Sequence, residues 1–452
     1  MSLPFDETQP SDTPSRELQP FHTPNRTSRR KFLGVAAGGL AAATGGAALL
    51  RGEGSPLPGT SEAVAMANSA EAVALPDPPR PLAASADVEG RTLVVIELQG
   101  GNDGLATLVP RNAGPLYDRR EAVHIPDEEL VDFTDEFGWH PSLAPLLGHN
   151  VAALMGVGTT NNPDGSHFEM ERRWWAGKSA GSDLPGTGFL GRLCDQLATD
   201  QPITGLSLGR GPSPALRSDK AITVGMNDPG ASWFLRSEDA WFQNLRGGML
   251  AMSGERVVDA SLRQSAMSSI ADTLEFAQTL GEIDQERLDE RYPYGQLGES
   301  LGVAAELIEQ GTGIRVIHVT HGGFDTHSDQ RGSHAQLLGE LGEATSAFLT
   351  DIDDRGLAES TLVCTTSEFG RRVRANGSGT DHGAAGMAIL AGPVQPGVHG
   401  EAPSLTQLDD DNLVATVDFE QYYSTIAEQW FGIASTEVLD SGASPIEGII
   451  NT

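Results

Sequence analysis

Two short stretches hold most of the ionisable groups that could converge on one chemical task. They are GGFDTH, residues 322 to 327, and TTSEFGRRVRANGSGTDHG, residues 365 to 383. They offer Asp325, His327, Glu368, Asp381 and His382. Carboxylates and imidazoles together are the donor set of zinc, manganese and similar divalent ions. Asn102 and Asp103 in GGNDG, and Ser166 and His167 in PDGSHFEMERRWWAG, add further polar groups. Each alone has a plain structural explanation, because an Asp after a strand commonly caps a helix or turns the chain. His318, inside an apolar run, reads as a packed core residue, and His321 reads either way.

A shared position requires a scaffold, and the apolar runs supply one. TLVVIEL (92 to 98), VAALMGVG (151 to 158), IRVIHVT (314 to 320), TLVCTT (361 to 366) and MAILAG (387 to 392) are short and nearly continuous, as strands buried on both faces require. Helical patterns lie between them at 265 to 310 and at 334 to 352, where Leu, Ala and Phe recur every three or four residues. Strands alternating with helices predict an α/β fold with a mostly parallel central sheet flanked by helices. The carboxyl ends of parallel strands share one edge, which is where open α/β folds bind ligands. The polar groups above all follow such ends. Region 200 to 262, rich in Gly, Ser and Pro, reads as a loop-rich insertion, and QLDDDN near 410 as a solvated loop.

Ser166 has two readings. With Glu169 three residues on, it forms the pattern of a capping box. A hydroxyl at a helix start also faces free N–H groups and the positive end of the helix dipole, a setting that suits a nucleophile or a phosphate-like anion. Trp174 and Trp175 read as core or pocket wall, and Arg172 and Arg173 as partners of nearby acids.

The chain of 452 residues carries a net charge of −32. In residues 1 to 67 six acids cancel six bases, so the remainder holds all of it. Such a field disfavours nucleic acid, and an anionic substrate would need local cations. SRRKFL at 28 to 33, the glycine-diluted run from Leu33 to Leu50, and Ala65-Met66-Ala67 predict a twin-arginine export signal over 1 to 67. Periplasmic or extracellular localisation follows, with no stable membrane span in the mature protein. Residues 68 to 88 read as an Ala/Pro linker, and 89 to 452 as the folded domain. Cys194 and Cys364 leave two options open, a disulfide or two buried thiols, and the apolar setting of Cys364 favours the second.

The combination of VVIELQGGNDG, GSHFE, GGFDTH, HAQLLGELGEA and SEFGRRVRANGSGTDHG resembles the DUF1501 family of secreted bacterial proteins, from about Leu93 to near Gly432. That family is similar in its core to the alkaline phosphatase and sulfatase superfamily. The resemblance implies a two-metal site on a parallel sheet, with zinc, manganese, calcium or magnesium as the ions. It implies Asp103, Asp325, His327, Glu368 and His382 as metal ligands, with Asp381 as ligand or support, and Ser166 as nucleophile. Asn102, His167 and Arg371 would contact the substrate. There are two departures: Phe369 stands where the superfamily commonly has histidine, and the Asp-to-His spacing in FDTH is shorter than in the phosphatases. Members of the family are often encoded beside a second secreted family, which makes a co-encoded protein an expected partner.

Two functions compete. One is a secreted metal-dependent hydrolase of phosphate or sulfate esters. The other is a non-catalytic protein that binds a glycan or a partner protein on the same fold.

Overall fold

A computed structural model describes residues 90–227 and 285–451, save 161, 162, 182 and 200–202, together with a few single positions between 228 and 284. The chain divides into two units, 1–75 and 76–452. The first unit, and with it the expected leader over 1 to 67, lies outside the described residues, as does the linker over 68 to 88. Among the described residues no helix is long and apolar enough to cross a membrane.

The central sheet is mixed α/β in its setting and mostly parallel. Its strands in chain order are β1 (Thr92–Gln99), β2 (Val151–Gly158), β3 (Gly205–Leu208), β4 (Thr223–Met226), β5 (Val316–Gly322), β6 (Thr361–Thr366), β7 (Ala385–Ala391), β8 (Gly397–His399) and β9 (Val417–Asp418). Their spatial order is β8-β2-β7-β6-β1-β5-β3-β4, with β9 also paired to β2. Only β7 runs against its neighbours, β2 and β6. Part of the region expected to be an insertion thus belongs to the sheet, since β3 pairs with β5 and β4 with β3. The runs are short and broken by Gly and Pro, so they carry little periodicity of their own. Most of the rest of that region lies outside the described residues.

Alternation along β1 sorts the core. Val94, Ile96 and Leu98 face one apolar cluster, which takes in helices α3 (Gln296–Glu309) and α4 (Gln330–Asp354). Leu93 and Val95 face the other, built with α1 (His167–Ala176), α2 (Phe189–Leu197) and α5 (Phe419–Thr425). Full burial of a Leu, Ile or Phe side chain contributes about 1.5–3 kcal/mol relative to exposure. On α4 the buried Leu338, Leu341, Phe348 and Ile352 fall at helical spacing on the sheet side. Gly356, at φ 73°, ends that helix: its N–H bonds to Asp353 O and the N–H of Leu357 to Ile352 O. Cys194 and Cys364 are both buried and free.

β1, β5 and β6 pair in parallel register, Glu97 lying beside both Thr320 and Thr366. The loops after them therefore emerge side by side. Two glycines allow these loops to touch. A Cβ on Gly100, at φ 114°, would meet Asp325 N at 2.2 Å, and one on Gly101, at φ 83°, would meet the Phe369 ring at 2.3 Å.

Candidate metal centre

Asp325 follows β5 and is the hub of the site. Its Oδ1 lies 3.0 Å from His382 Nε2 and 3.1 Å from His327 Nε2, and its Oδ2 lies 3.5 Å from His167 Nε2. The Nε2 atoms of His327 and His382 are 2.9 Å apart. His167, Asp325 and His382 each offer a ligand atom, all within 4.8 Å of one another.

Each imidazole is held from behind. His167 Nδ1 lies 2.9 Å from Glu368 Oε1, His327 Nδ1 lies 3.4 Å from Asp381 Oδ1, and His382 Nδ1 lies 2.7 Å from Gly165 O. The partners of His167 and His382 are acceptors, so those two rings donate from Nδ1, and all three rings turn Nε2 toward Asp325. A carboxylate oxygen and imidazole nitrogens this close require a proton or a cation between them. Ligands held about 2.1 Å from an ion sit about 3 Å apart when adjacent, which matches the spacing around Asp325 Oδ1. His167, Asp325 and His382 fit a divalent ion on donor chemistry as well, since imidazole and carboxylate suit zinc and its neighbours, and His327 stands beside two of the three.

Burial alone would raise the pKa of Asp325; hydrogen bonds from His382 and Arg371 outweigh it and bring it down to about 2. The bond from Glu368 raises the pKa of His167, against burial, which lowers it.

The structure gives the sequence-predicted residues different roles. Glu368 and Asp381 stand behind His167 and His327 and do not face the centre, while His167, expected to meet substrate, is a ligand candidate. Asn376 Nδ2 donates to Asp381 Oδ1 at 2.6 Å and steadies it. Asp103 does not join the cluster. It is fully buried at the start of the short helix Gly104–Thr107, bonded to Arg120 at 2.5 Å, Gln330 at 2.6 Å and the N–H groups of Leu105 and Ala106. Burial disfavours its charge, but Arg120 and these bonds hold its carboxyl below the usual range.

Arg371 is buried and donates to the carbonyls of Gly100, Gly101, Phe324 and Thr380 and to Asp325 Oδ1. It clamps the loops of the site together and is not available to a substrate. Asn102 is buried too, its Oδ1 accepting from Thr107 and His334. Phe369 fills the place where a histidine was expected, its ring centroid 5.0 Å from that of His167 and 4.3 Å from that of His382. Sequence alone signalled His167 only through its neighbour Ser166, because its role depends on Glu368, which lies 201 residues away.

Ser166 is exposed at the start of α1 and makes no side-chain cap. The capping box fails because Glu169 bonds Arg173 at 2.9 Å and Arg172 at 3.4 Å, one turn along the helix. Its hydroxyl is thereby left for other uses, between Gly165, which holds His382, and His167.

A family described as "Protein of unknown function (DUF1501)" matches residues 90–429. The chain belongs to the DUF1501 family. No match to a curated protein was found for this DUF1501 chain. Similar solved structures include Ps i-CgsB in complex with k-i-k-neocarrahexaose, at 10% identity and a TM-score of 0.38, covering 78% of this chain and 74% of that one. The PsFucS1 sulfatase from Pseudoalteromonas sp. is 10% identical, with a TM-score of 0.36 and coverage of 78% and 73%. The phosphonate monoester hydrolase from Silicibacter pomeroyi is 12% identical, with a TM-score of 0.34 and coverage of 76% and 73%.

Proposed function

We propose that this DUF1501 protein is a secreted, metal-dependent hydrolase of phosphate or sulfate esters. One observation carries the reading: the Nε2 atoms of three histidines converge on Asp325, two of the rings turned by an acceptor bound to Nδ1 and the third backed by Asp381 at 3.4 Å. Divalent metal sites are held in this way, by ligands oriented from behind.

A bound divalent ion would draw charge from the ester oxygens and stabilise the departing alkoxide. His167, His327, His382 and Asp325 would hold it. Arg371 fixes the Asp325 carboxylate through Nη2 at 2.8 Å. Ser166 Oγ, free of any capping bond, is the candidate nucleophile toward phosphorus or sulfur. The first-turn N–H groups of α1 have no acceptor within the helix and offer donors to an anionic ester. They supply part of the local positive field that a chain of net charge −32 needs for such a substrate. Water would then hydrolyse the seryl ester.

Arg29 and Arg30 in the expected leader support export by the twin-arginine route, with the site facing the periplasm or the cell exterior. Small anionic esters, including those of glycans, are the substrate class, and a co-encoded secreted protein is the proposed partner.

The test uses protein purified after native export. Hydrolysis of aryl phosphate or aryl sulfate that chelation stops and metal restores, and that Asp325→Ala and Ser166→Ala abolish, supports the reading. A metal-loaded protein inert to both ester types overturns it. Glycan binding that survives Ser166→Ala without turnover would assign the fold to binding instead.

A further inference from the structure

Arginines near the carboxyl edge of the sheet are mostly claimed by acids: Arg120 by Asp103, Arg172 and Arg173 by Glu169, and Arg371 by Asp325. Arg210, in the turn after β3, is exposed and enters no ion pair among the described residues. Its Nη1 donates to a neutral acceptor, Gln99 Oε1, at 2.5 Å. The other edge of the guanidinium, Nε and Nη2, has no hydrogen-bond acceptor among the described residues. That edge is a planar pair of donors of the kind that grips a carboxylate, sulfate or phosphate with two parallel bonds.

The turn that carries Arg210 is fixed on both sides. Gly209 and Gly211 flank it at φ 113° and 82°, conformations that favour glycine. Their N–H groups both donate to Met226 O, at 2.9 and 3.3 Å, and Gln296 Nε2 donates to Gly209 O at 2.5 Å. The guanidinium reaches the edge of the candidate centre. Gln99 is the register partner of Gly322, and Arg210 Nη2 lies 4.0 Å from where a Cβ on Gly322 would stand. Gly100, next to Gln99, donates to Glu368 at 2.7 Å. Asp325 is three residues beyond Gly322, a chain span of at most about 11 Å. Glu171 on α1 feels the charge of Arg210, but burial, Glu368 and Glu97 push its carboxyl up to about 7. At neutral pH it therefore offsets the cation only in part.

We propose that Arg210 is a substrate-binding residue, which takes a second anionic group on the part of the substrate that the centre does not cleave. Arg210 stands on Gln99 and Gly322 and not among the groups around Asp325, so it meets a different part of the molecule from the ester. The substrate class narrows to esters that carry a further carboxylate, sulfate or phosphate, as acidic sugar units do. An uncompensated cation at this edge also draws such an anion toward a protein of net charge −32. The inference rests on the reading of this edge as a site for anionic esters.

The test is calorimetric binding to the full chain carrying Ser166→Ala, in the presence of zinc, which requires no turnover. The probes are a disaccharide with one sulfate ester and one uronate carboxylate, and the same disaccharide with that carboxyl methylated. The Ser166→Ala parent should bind the acid about tenfold or more tighter than its methyl ester. Adding Arg210→Gln should abolish this preference, and adding Arg210→Lys, which keeps the charge without the planar fork, should retain part of it. The ratio of the two affinities is the readout, which a general loss of folded protein does not move. The proposal is overturned if the parent binds both probes equally or binds neither, or if Arg210→Gln keeps the preference. Failure of the hydrolase reading shows separately, as no turnover of either probe by protein with Ser166 intact.

Discussion

Glu368 Oε1 accepts the Nδ1 hydrogen of His167 at 2.9 Å, and this bond decides which nitrogen His167 turns toward Asp325. A residue expected as a ligand thus orients a candidate ligand instead. Glu368→Gln keeps the shape but can turn its amide nitrogen to Nδ1. The expected outcome is metal affinity about 10–100-fold weaker, measured by competition with a chelating dye, with a fold unchanged by circular dichroism. Unchanged affinity would remove Glu368 from the site.

Asp325→Ala and His382→Ala remove donors themselves. Each should leave the centre without its ion after dialysis, read by elemental analysis. Asp381→Ala, which takes away only the support 3.4 Å behind His327, should reduce affinity and leave the ion count at saturating metal intact.

Asp103 separates structural from functional loss. Its carboxylate and Arg120 form a buried pair at 2.5 Å, so Asp103→Ala strands a buried cation. Stability should fall by about 3–5 kcal/mol in urea unfolding, while the folded fraction keeps its metal. Metal loss without destabilisation would restore Asp103 to the ligand set.

Acid should unfold the protein in part through two buried histidines. Burial lowers His140 to about 4 and His334 to about 3. In the unfolded chain both return to about 6.5, so between these values the unfolded state holds more protons. Their contribution is fully present above about pH 6.5 and is lost progressively as pH falls toward 3, at up to about 1.4 kcal/mol per pH unit for each group. His334→Gln, which keeps a donor toward Asn102 Oδ1, should flatten the dependence of urea midpoint on pH across that window.

The amino-acid sequence by itself determined the sheet and its busy edge. VAALMGVG and TLVCTT are continuous apolar runs, and burial of both faces makes such runs strands regardless of distant context. The same logic put Asp325 and His327 beyond the end of β5 and His382 beyond β6, where it sits in a short hairpin strand, Thr380–Gly383. The two strands within 205 to 226 escaped because four-residue runs that contain Gly become strands only when a neighbour such as β5 completes their hydrogen bonds. Roles within the site were not legible for a related reason. Asp103, Glu368 and Asp381 are the same kind of group in sequence, but Arg120, His167 and His327 claim them in space. A carboxylate becomes a ligand, a support or half of an ion pair according to what its oxygens meet, and those partners arrive from remote segments that only the tertiary fold brings within 4 Å.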